Sequence, residues 1–103
     1  SEKIKELFDQ GLIFYIITLL VSYSRSLALG KTEKKKGVQV RRELIKEILA
    51  DADIVKAAKS YSPSPEESKW IPLAMSFKSR LLLEFACDLR AKEVIRKRSF
   101  GQE

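Results

Sequence analysis

Apolar residues recur at intervals of three and four along the first third of the chain, which is the spacing of one helix face. The predicted core stripe of this first helix, over about Glu2–Leu29, is Ile4, Leu7, Phe8, Leu12, Tyr15, Ile16, Leu19, Leu20, Tyr23 and Leu27. Residues between them are apolar too, so the helix is central in a core or offers a second face to a partner. A strand over 14–21 is the competing interpretation, but no second strand-like run exists to pair with it.

Two further amphipathic helices are predicted downstream. Val38–Ser60 places charged residues opposite an apolar stripe, and Leu73–Arg98 does the same. The apolar stripe of the first of these is Leu44, Ile45, Ile48, Leu49, Ala52, Val55 and Ala58. The predicted core stripe of the last helix is Leu73, Phe77, Leu81, Phe85 and Leu89. Between the first two helices, Gly30–Gly37 is predicted to be a loop, because two glycines bracket a short polar run.

A helix-start signal lies between the second and third long helices. Ser64, Pro65 and Glu67 match an N-cap, a first-turn proline and the glutamate of a capping box. Because Pro72 forbids a regular helix hydrogen bond, one or two turns with a kink or restart at Ile71–Pro72 are expected. The pattern therefore predicts an all-α fold. It is a small antiparallel bundle of three long helices, with a short extra helical turn before Pro72, in a single domain over residues 1–103.

The distribution of charge along the chain is more informative than its overall composition. The 103 residues carry a net charge of +6, but residues 31–42 carry +5, residues 90–98 carry +4 and the remainder carries −3. In an up–down–up bundle, the second helix begins and the third ends at the same pole, so the two basic segments are expected to meet. The predicted nucleic-acid-binding residues are Lys31, Lys34, Lys35, Lys36, Arg41, Arg42, Arg90, Lys92, Arg96, Lys97 and Arg98.

A simpler interpretation stands beside this one. Cations at the end of the last helix favour its macrodipole, and lysines in a loop keep the surface soluble. That interpretation accounts poorly for Arg41 and Arg42, which begin a helix. An anion would offset the repulsion in a shared patch, and nucleic acid, RNA or DNA, suits it best. Zinc-finger, RNP and basic-zipper patterns are missing from the sequence, so contact with phosphate backbone is expected rather than base reading.

The side chains of most catalytic and metal sites are scarce in this sequence. It has no histidine and one cysteine, Cys87, so no enzyme activity, catalytic residue, metal site or cofactor is expected. A single cysteine also favours a reducing, cytoplasmic location. The apolar run Leu12–Val21 is ten residues long, whereas a membrane span needs about 20, so a core helix and no membrane partner are expected.

The basic stretches KTEKKKGVQVRR and RAKEVIRKR, in a short helical chain without catalytic residues, resemble the small subunits of CRISPR effector complexes. The resemblance is one of architecture over the whole length and rests on no signature motif. It implies a ribonucleoprotein subunit, present in several copies beside other subunits, that contacts guide–target duplex or displaced strand through basic side chains. The rival interpretation is a structural or scaffolding subunit that binds proteins, or a second copy, through the apolar first helix without nucleic acid.

Overall fold

A computed structural model describes residues 1–101, with side chains as far as Ser99, and all regular secondary structure in this part is helical. The helices are α1 (Glu2–Ala28), α2 (Lys34–Ala50), α3 (Ala52–Lys59), α4 (Trp70–Ser76) and α5 (Arg80–Gly101). The all-α prediction is therefore confirmed, with five helices in place of three long ones and a short turn. The competing strand over 14–21 is wrong, because that segment lies in the middle of α1.

The helix predicted over Val38–Ser60 is two helices, and it begins earlier than expected. Asp51 has an extended backbone and its carboxylate accepts hydrogen bonds from the backbone N–H groups of Asp53 and Ile54, at 3.0 and 3.2 Å. An aspartate in this position is an N-cap, so it starts α3 directly after α2 ends. At the other end α2 begins at Lys34, so Gly37 lies inside its first turn rather than at the end of a loop.

The start signal at Ser64 forms a turn instead of a helix. The Glu67 carboxylate accepts from the Ser64 backbone N–H at 2.9 Å, which is one half of a capping box, but α4 begins only at Trp70. Pro72 is the third residue of α4, where its missing N–H would have had no intrahelical partner. The expected restart near Ile71–Pro72 is therefore the start of α4.

The helix predicted over Leu73–Arg98 is broken at Phe77–Ser79. Lys78 has a φ of +56°, in the left-handed region, and the Ser79 N–H bonds to the Ala74 carbonyl oxygen at 3.1 Å. This six-to-one hydrogen bond is the Schellman pattern that ends a helix. A lysine at the left-handed position gives no sequence signal for it, since glycine is the residue usually found there.

The core draws side chains from every helix and is rich in small residues. Its buried members are Ile13, Ile17, Leu20, Ile45, Ile48, Leu49, Ala57, Ala58, Ile71, Ala74, Met75, Leu83, Ala86 and Cys87. Small side chains let helix axes approach closely. Accordingly the molecule is a slab of 44 × 32 × 18 Å, whose thin dimension holds about two layers of helices at 8–10 Å between axes. A slab this thin leaves the outer faces of its helices in water.

The stripe predicted for the last helix lies on those outer faces, and so does half of the stripe predicted for the first helix, although its members Leu20 and Leu27 are buried as predicted. In α1 the buried stripe is Ile13, Ile17, Leu20, Ser24 and Leu27. The exposed apolar residues of α1 include Ile4, Leu7, Phe8, Tyr15 and Leu19. The whole stripe predicted for the last helix is exposed: Leu73, Phe77, Leu81, Phe85 and Leu89. Both predictions chose the face with larger side chains, whereas the core uses the face with smaller ones.

By length and composition alone, α1 could cross a membrane. An 18-residue window of this helix has a mean hydropathy of 1.5, and 33% of the window is buried inside the protein. The apolar run Leu12–Val21 is thus part of a longer stretch than the sequence analysis considered. A core helix meets the same criterion, and Ile13, Ile17 and Leu20 are in the core. The lack of a membrane partner stays a prediction.

Candidate nucleic-acid interface

The two basic segments of the chain lie at the same end of the molecule. Lys34, in the first turn of α2, and Lys92, in the second half of α5, line one surface cavity of about 640 Å³. Leu27 and Gly30, from the end of α1 and the turn after it, line this cavity as well. A second, smaller cavity has Arg25 of α1 and Arg98 of α5 in its walls. The end of α1, the start of α2 and the end of α5 therefore share a pole.

Gly37 allows α2 to start close against the end of α1. A Cβ atom at Gly37 would overlap the side chain of Leu27, and it would lie 3.0 Å from the methyl group of Thr32. Because Leu27 is itself buried, it has little room to give way. The glycine thus fixes where the first turn of α2, with its three consecutive lysines, sits on the surface.

Lys34, Lys35 and Lys36 are exposed and occupy the end of α2 where positive charge is unfavourable. Glu33 precedes them as the N-cap, and its carboxylate accepts from the Lys36 backbone N–H at 3.3 Å. A helix N-terminus with unpaired N–H groups favours an anion, and three lysines beside it strengthen that preference.

Arg41 is not part of an exposed patch. Its residue is 3% exposed, and its guanidinium donates to the Ser24 hydroxyl at 2.9 Å and to an Asp88 carboxylate oxygen at 2.5 Å. A Glu84 oxygen lies 3.8 Å away. Burial alone would lower the pKa of Arg41, but the hydrogen bond and charge of Asp88 outweigh it and raise the pKa overall. Arg41 therefore joins α1, α2 and α5 from inside, and it cannot contact a phosphate while this cluster is intact.

Three more of the predicted binding residues are held by acids of the same chain. Arg42 is 3.4 Å from Glu84, and Arg90 donates to Glu93 at 3.0 Å and to the Glu66 carbonyl oxygen. Lys97 is 3.3 Å from the same Glu93 oxygen, and this hydrogen bond from Lys97 lowers the pKa of Glu93. These cations keep part of their surface in water, but each already has a carboxylate partner that it shares with another cation.

The remaining predicted residues are exposed and have no ion pair among the side chains that the structure describes. We call this set the basic pole: Lys31, Lys34, Lys35, Lys36, Lys92, Arg96 and Arg98. It contains seven of the eleven predicted residues, drawn from both basic segments.

Arg25 was missed by the sequence analysis because it lies in the apolar first helix. It is partly buried, it lines one cavity with Arg98 and another with Arg90 and Arg98, and its Nε atom is buried without a partner. The signal that could have found it is its place in the last turn of α1, five residues before the loop. A basic residue there must lie near the pole where the loop begins.

Nucleophilic chemistry has little support in this geometry. Cys87 is buried, and burial raises the pKa of its thiol to about 12, although the nearby Arg41 charge acts in the opposite direction. The thiol is therefore protonated near neutral pH and unreactive. Within residues 1–101, no group of three or more His, Cys, Asp or Glu side chains is arranged to hold a metal ion.

The connection between α3 and α4 is fixed by its own hydrogen bonds. Tyr61 donates to the Glu67 carboxylate at 2.5 Å, and the Gln10 side chain bonds to the backbone of Ser60 and Ser62 at 3.1 and 3.2 Å. Burial of Glu67 would raise its pKa, but the hydrogen bonds from Tyr61 and Ser64 lower it overall. These contacts hold the connection against α1.

Comparisons of this chain with protein-family models, with curated proteins and with solved structures find no match.

Proposed function

We propose that this chain is a non-catalytic nucleic-acid-binding subunit of a larger ribonucleoprotein assembly, and that it contacts phosphate backbone through the basic pole. The observation that carries the proposal is the shared cavity of Lys34 and Lys92, which come from segments almost sixty residues apart. Three cations and two acids line this cavity, since Arg41, Glu33 and Asp88 are also in its wall, and a bound anion would offset the remaining repulsion. CRISPR effector complexes, whose small subunits the chain resembles, are one assembly of this kind.

The arrangement that supports the proposal is the up–down–up packing expected for α1, α2 and α5. Its supports are the Arg41–Asp88 pair, which joins α2 to α5, and the cavity wall shared by Arg25 and Arg98, which joins the ends of α1 and α5. The basic pole then has several cations within reach of one nucleic-acid strand or duplex. Backbone contact requires no base-reading side chains, which agrees with the lack of a base-reading motif.

Titration with nucleic acid at two salt concentrations tests the proposal. Mixed-sequence single- and double-stranded DNA and RNA should each bind, and the logarithm of the affinity should fall steeply with the logarithm of the salt concentration. For about five phosphate contacts the expected slope is roughly −3.5 for single strands and −4.5 for duplexes. Binding that is absent at low salt, or that does not depend on salt, would contradict the proposal.

A pair of variants separates the basic pole from general positive charge. Changing Lys34, Lys35, Lys92 and Arg96 to glutamine should weaken binding to all sequences and reduce the slope by about 3. The matched control changes four scattered lysines to glutamine: Lys3, Lys5, Lys56 and Lys69. Equal loss in the two variants would show that the pole is not special. Far-ultraviolet circular dichroism should show unchanged helicity in both.

A second candidate function is a scaffolding subunit without nucleic acid. It is favoured by the exposed apolar face at the start of α1, where Ile4, Leu7 and Phe8 lie largely in water. Large exposed apolar faces are typical of protein-binding surfaces. Light scattering above monomer mass, together with no nucleic-acid binding at low salt, would support this function instead.

A further inference from the structure

A second surface, distinct in chemistry from the basic pole, lies along the outer face of α5. Leu81, Phe85 and Leu89 follow one another at intervals of four residues, so they form one stripe on the helix. Trp70 lies at its end, since Trp70 and Leu89 line the same surface cavity of about 420 Å³. We call these four residues the α5 face.

The α5 face is large for an ordinary surface. Its residues are 63%, 70%, 61% and 49% exposed, in chain order. At about 200 Å² for each fully exposed side chain, they present on the order of 500 Å² of mostly apolar area. The largest apolar patch on a typical monomer is about 300–600 Å² and is often functional. With its polar rim, the face approaches the roughly 800 Å² that one partner contributes to a stable complex.

The charge around the α5 face points to one kind of partner. All three acids in the middle of α5 are already paired inside the fold: Glu84 with Arg80, Asp88 with Arg41, and Glu93 with Arg90 and Lys97. The cations beside the face have no ion pair among the described side chains. Lys92 and Arg96 line the cavity of Trp70 and Leu89, Lys69 directly precedes Trp70 in the chain, and Lys78 lies three residues before Leu81. The rim is therefore positive, and a partner must supply the acids.

We propose that the α5 face docks an amphipathic helix of another protein, one whose apolar stripe is flanked by aspartate and glutamate. The stripe of the α5 face has residues four apart and lies beside the cavity that Trp70 and Leu89 line. The apolar residues of an amphipathic helix, at i, i+3, i+4 and i+7, can pack along such a surface. The acidic flanks would meet the positive rim, which sets orientation and excludes basic partners. This inference does not rest on nucleic-acid binding.

Two other occupants fit less well. A second copy packed face to face would bring an equally positive rim. The exposed start of α1 from a second copy carries Lys3 and Lys5 among Glu2, Glu6 and Asp9, so its charge is almost balanced. A nucleic-acid base could stack on Trp70 or on Phe85, but Leu81 and Leu89 stand on either side of Phe85, so the face offers no continuous run of stacking partners for successive bases.

The one tryptophan of the chain reports directly on this surface. Two designed helical peptides of about 18 residues serve as probes, with the same leucine stripe and either glutamate or lysine on its flanks. The glutamate-flanked peptide should shift Trp70 emission to shorter wavelength and bind at least about tenfold tighter than the lysine-flanked one at low salt.

Variants on exposed positions make the test specific without threatening the fold. The double change Leu81→Gln/Phe85→Gln should weaken binding at least about tenfold. The matched control, Tyr15→Gln/Leu19→Gln, removes comparable exposed apolar area from α1 and should leave binding unchanged. Lys69→Glu/Lys78→Glu should reduce the preference for the glutamate-flanked peptide, and neither residue belongs to the basic pole.

Three outcomes would overturn the inference. Equal affinity for both peptides would mean that the face binds apolar helices without regard to their charge. A Trp70 shift on concentrating the protein alone, with a rise in sedimenting mass that Phe85→Gln abolishes, would assign the face to a second copy. A shift caused by single-stranded oligothymidine and by neither peptide would assign it to nucleic acid.

Discussion

Arg41 and the lysines Lys34–Lys36 lie within about two turns of each other on α2, and their charges serve opposite purposes. Arg41 is buried, and Asp88, Glu84 and Ser24 surround its guanidinium. The lysines face water, and no acid among the described side chains forms an ion pair with them. The difference shows that the acids of α5 decide which cations remain available. A count of basic residues along the chain does not measure a binding surface.

The contrast between the buried arginine and the exposed lysines is tested most strongly by a change at Arg41. Arg41→Met should lower the free energy of unfolding by about 3 kcal/mol, because it leaves the half-exposed Asp88 without its main partner and removes a positive charge from beside the buried Glu84. Urea unfolding measures the loss. The matched control is Arg42→Met, the same change one residue further on at a partly exposed ion pair, which should cost less than about 1 kcal/mol.

A double variant sharpens this prediction. Arg41→Met/Asp88→Leu removes the stranded carboxylate together with the guanidinium, so it should recover part of the stability lost in the single variant. Similar losses from Arg41→Met and Arg42→Met would mean that Arg41 is a surface cation after all. In that case it would belong with the lysines.

Gly37 joins the two regions, because it lies between the lysines and Arg41 and sets how closely α2 approaches α1. Gly37→Ala should lower the free energy of unfolding by about 1–2 kcal/mol, since the added methyl group overlaps Leu27. Gly11→Ala is the matched control: it lies inside α1 with no atom within 4 Å of the added Cβ. There the better helix propensity of alanine should stabilise the protein by up to about 1 kcal/mol. Thermal or urea unfolding should thus give opposite signs, and equal signs would contradict the packing of α2 on α1.

The periodicity of the sequence was sufficient for the helical class and for the amphipathic part of α2, whose buried residues Ile45, Ile48 and Leu49 fall on the predicted face. It failed where the fold uses small residues for contact. In α5 the core is met by Ala86, Cys87 and Ala91 together with Leu83, while Leu81, Phe85 and Leu89 face water. Hydrophobicity ranks those faces in the opposite order, and only the surrounding helices reveal which face is covered.

The candidate site was predictable to a similar degree. Net charge by segment singled out two stretches from which Lys34 and Lys92 line one cavity, whereas their role in binding stays a prediction. It could not separate Arg41 from Lys34 and Lys92, because that separation depends on Asp88, which is 47 residues away from Arg41 in sequence. Arg25 was missed for a different reason: it is a single cation in the apolar first helix, outside both basic segments.

The exposed lysines give the smallest effect on stability and the most direct contrast with Arg41. Lys34→Gln/Lys35→Gln removes positive charge from the N-terminal end of α2, where it opposes the macrodipole, so stability should rise by a few tenths to about 1 kcal/mol at low salt. The gain should shrink as salt is added, and nucleic-acid affinity should fall while the salt slope decreases by about 1.5.

The matched control is Lys56→Gln/Lys59→Gln, at the C-terminal end of α3, where lysines favour the macrodipole. That variant should lose a similar small amount of stability and keep its nucleic-acid affinity. If both pairs changed stability in the same direction, the lysines of α2 would not be held against the field of their helix. The idea that binding is what offsets their unfavourable position would then be wrong.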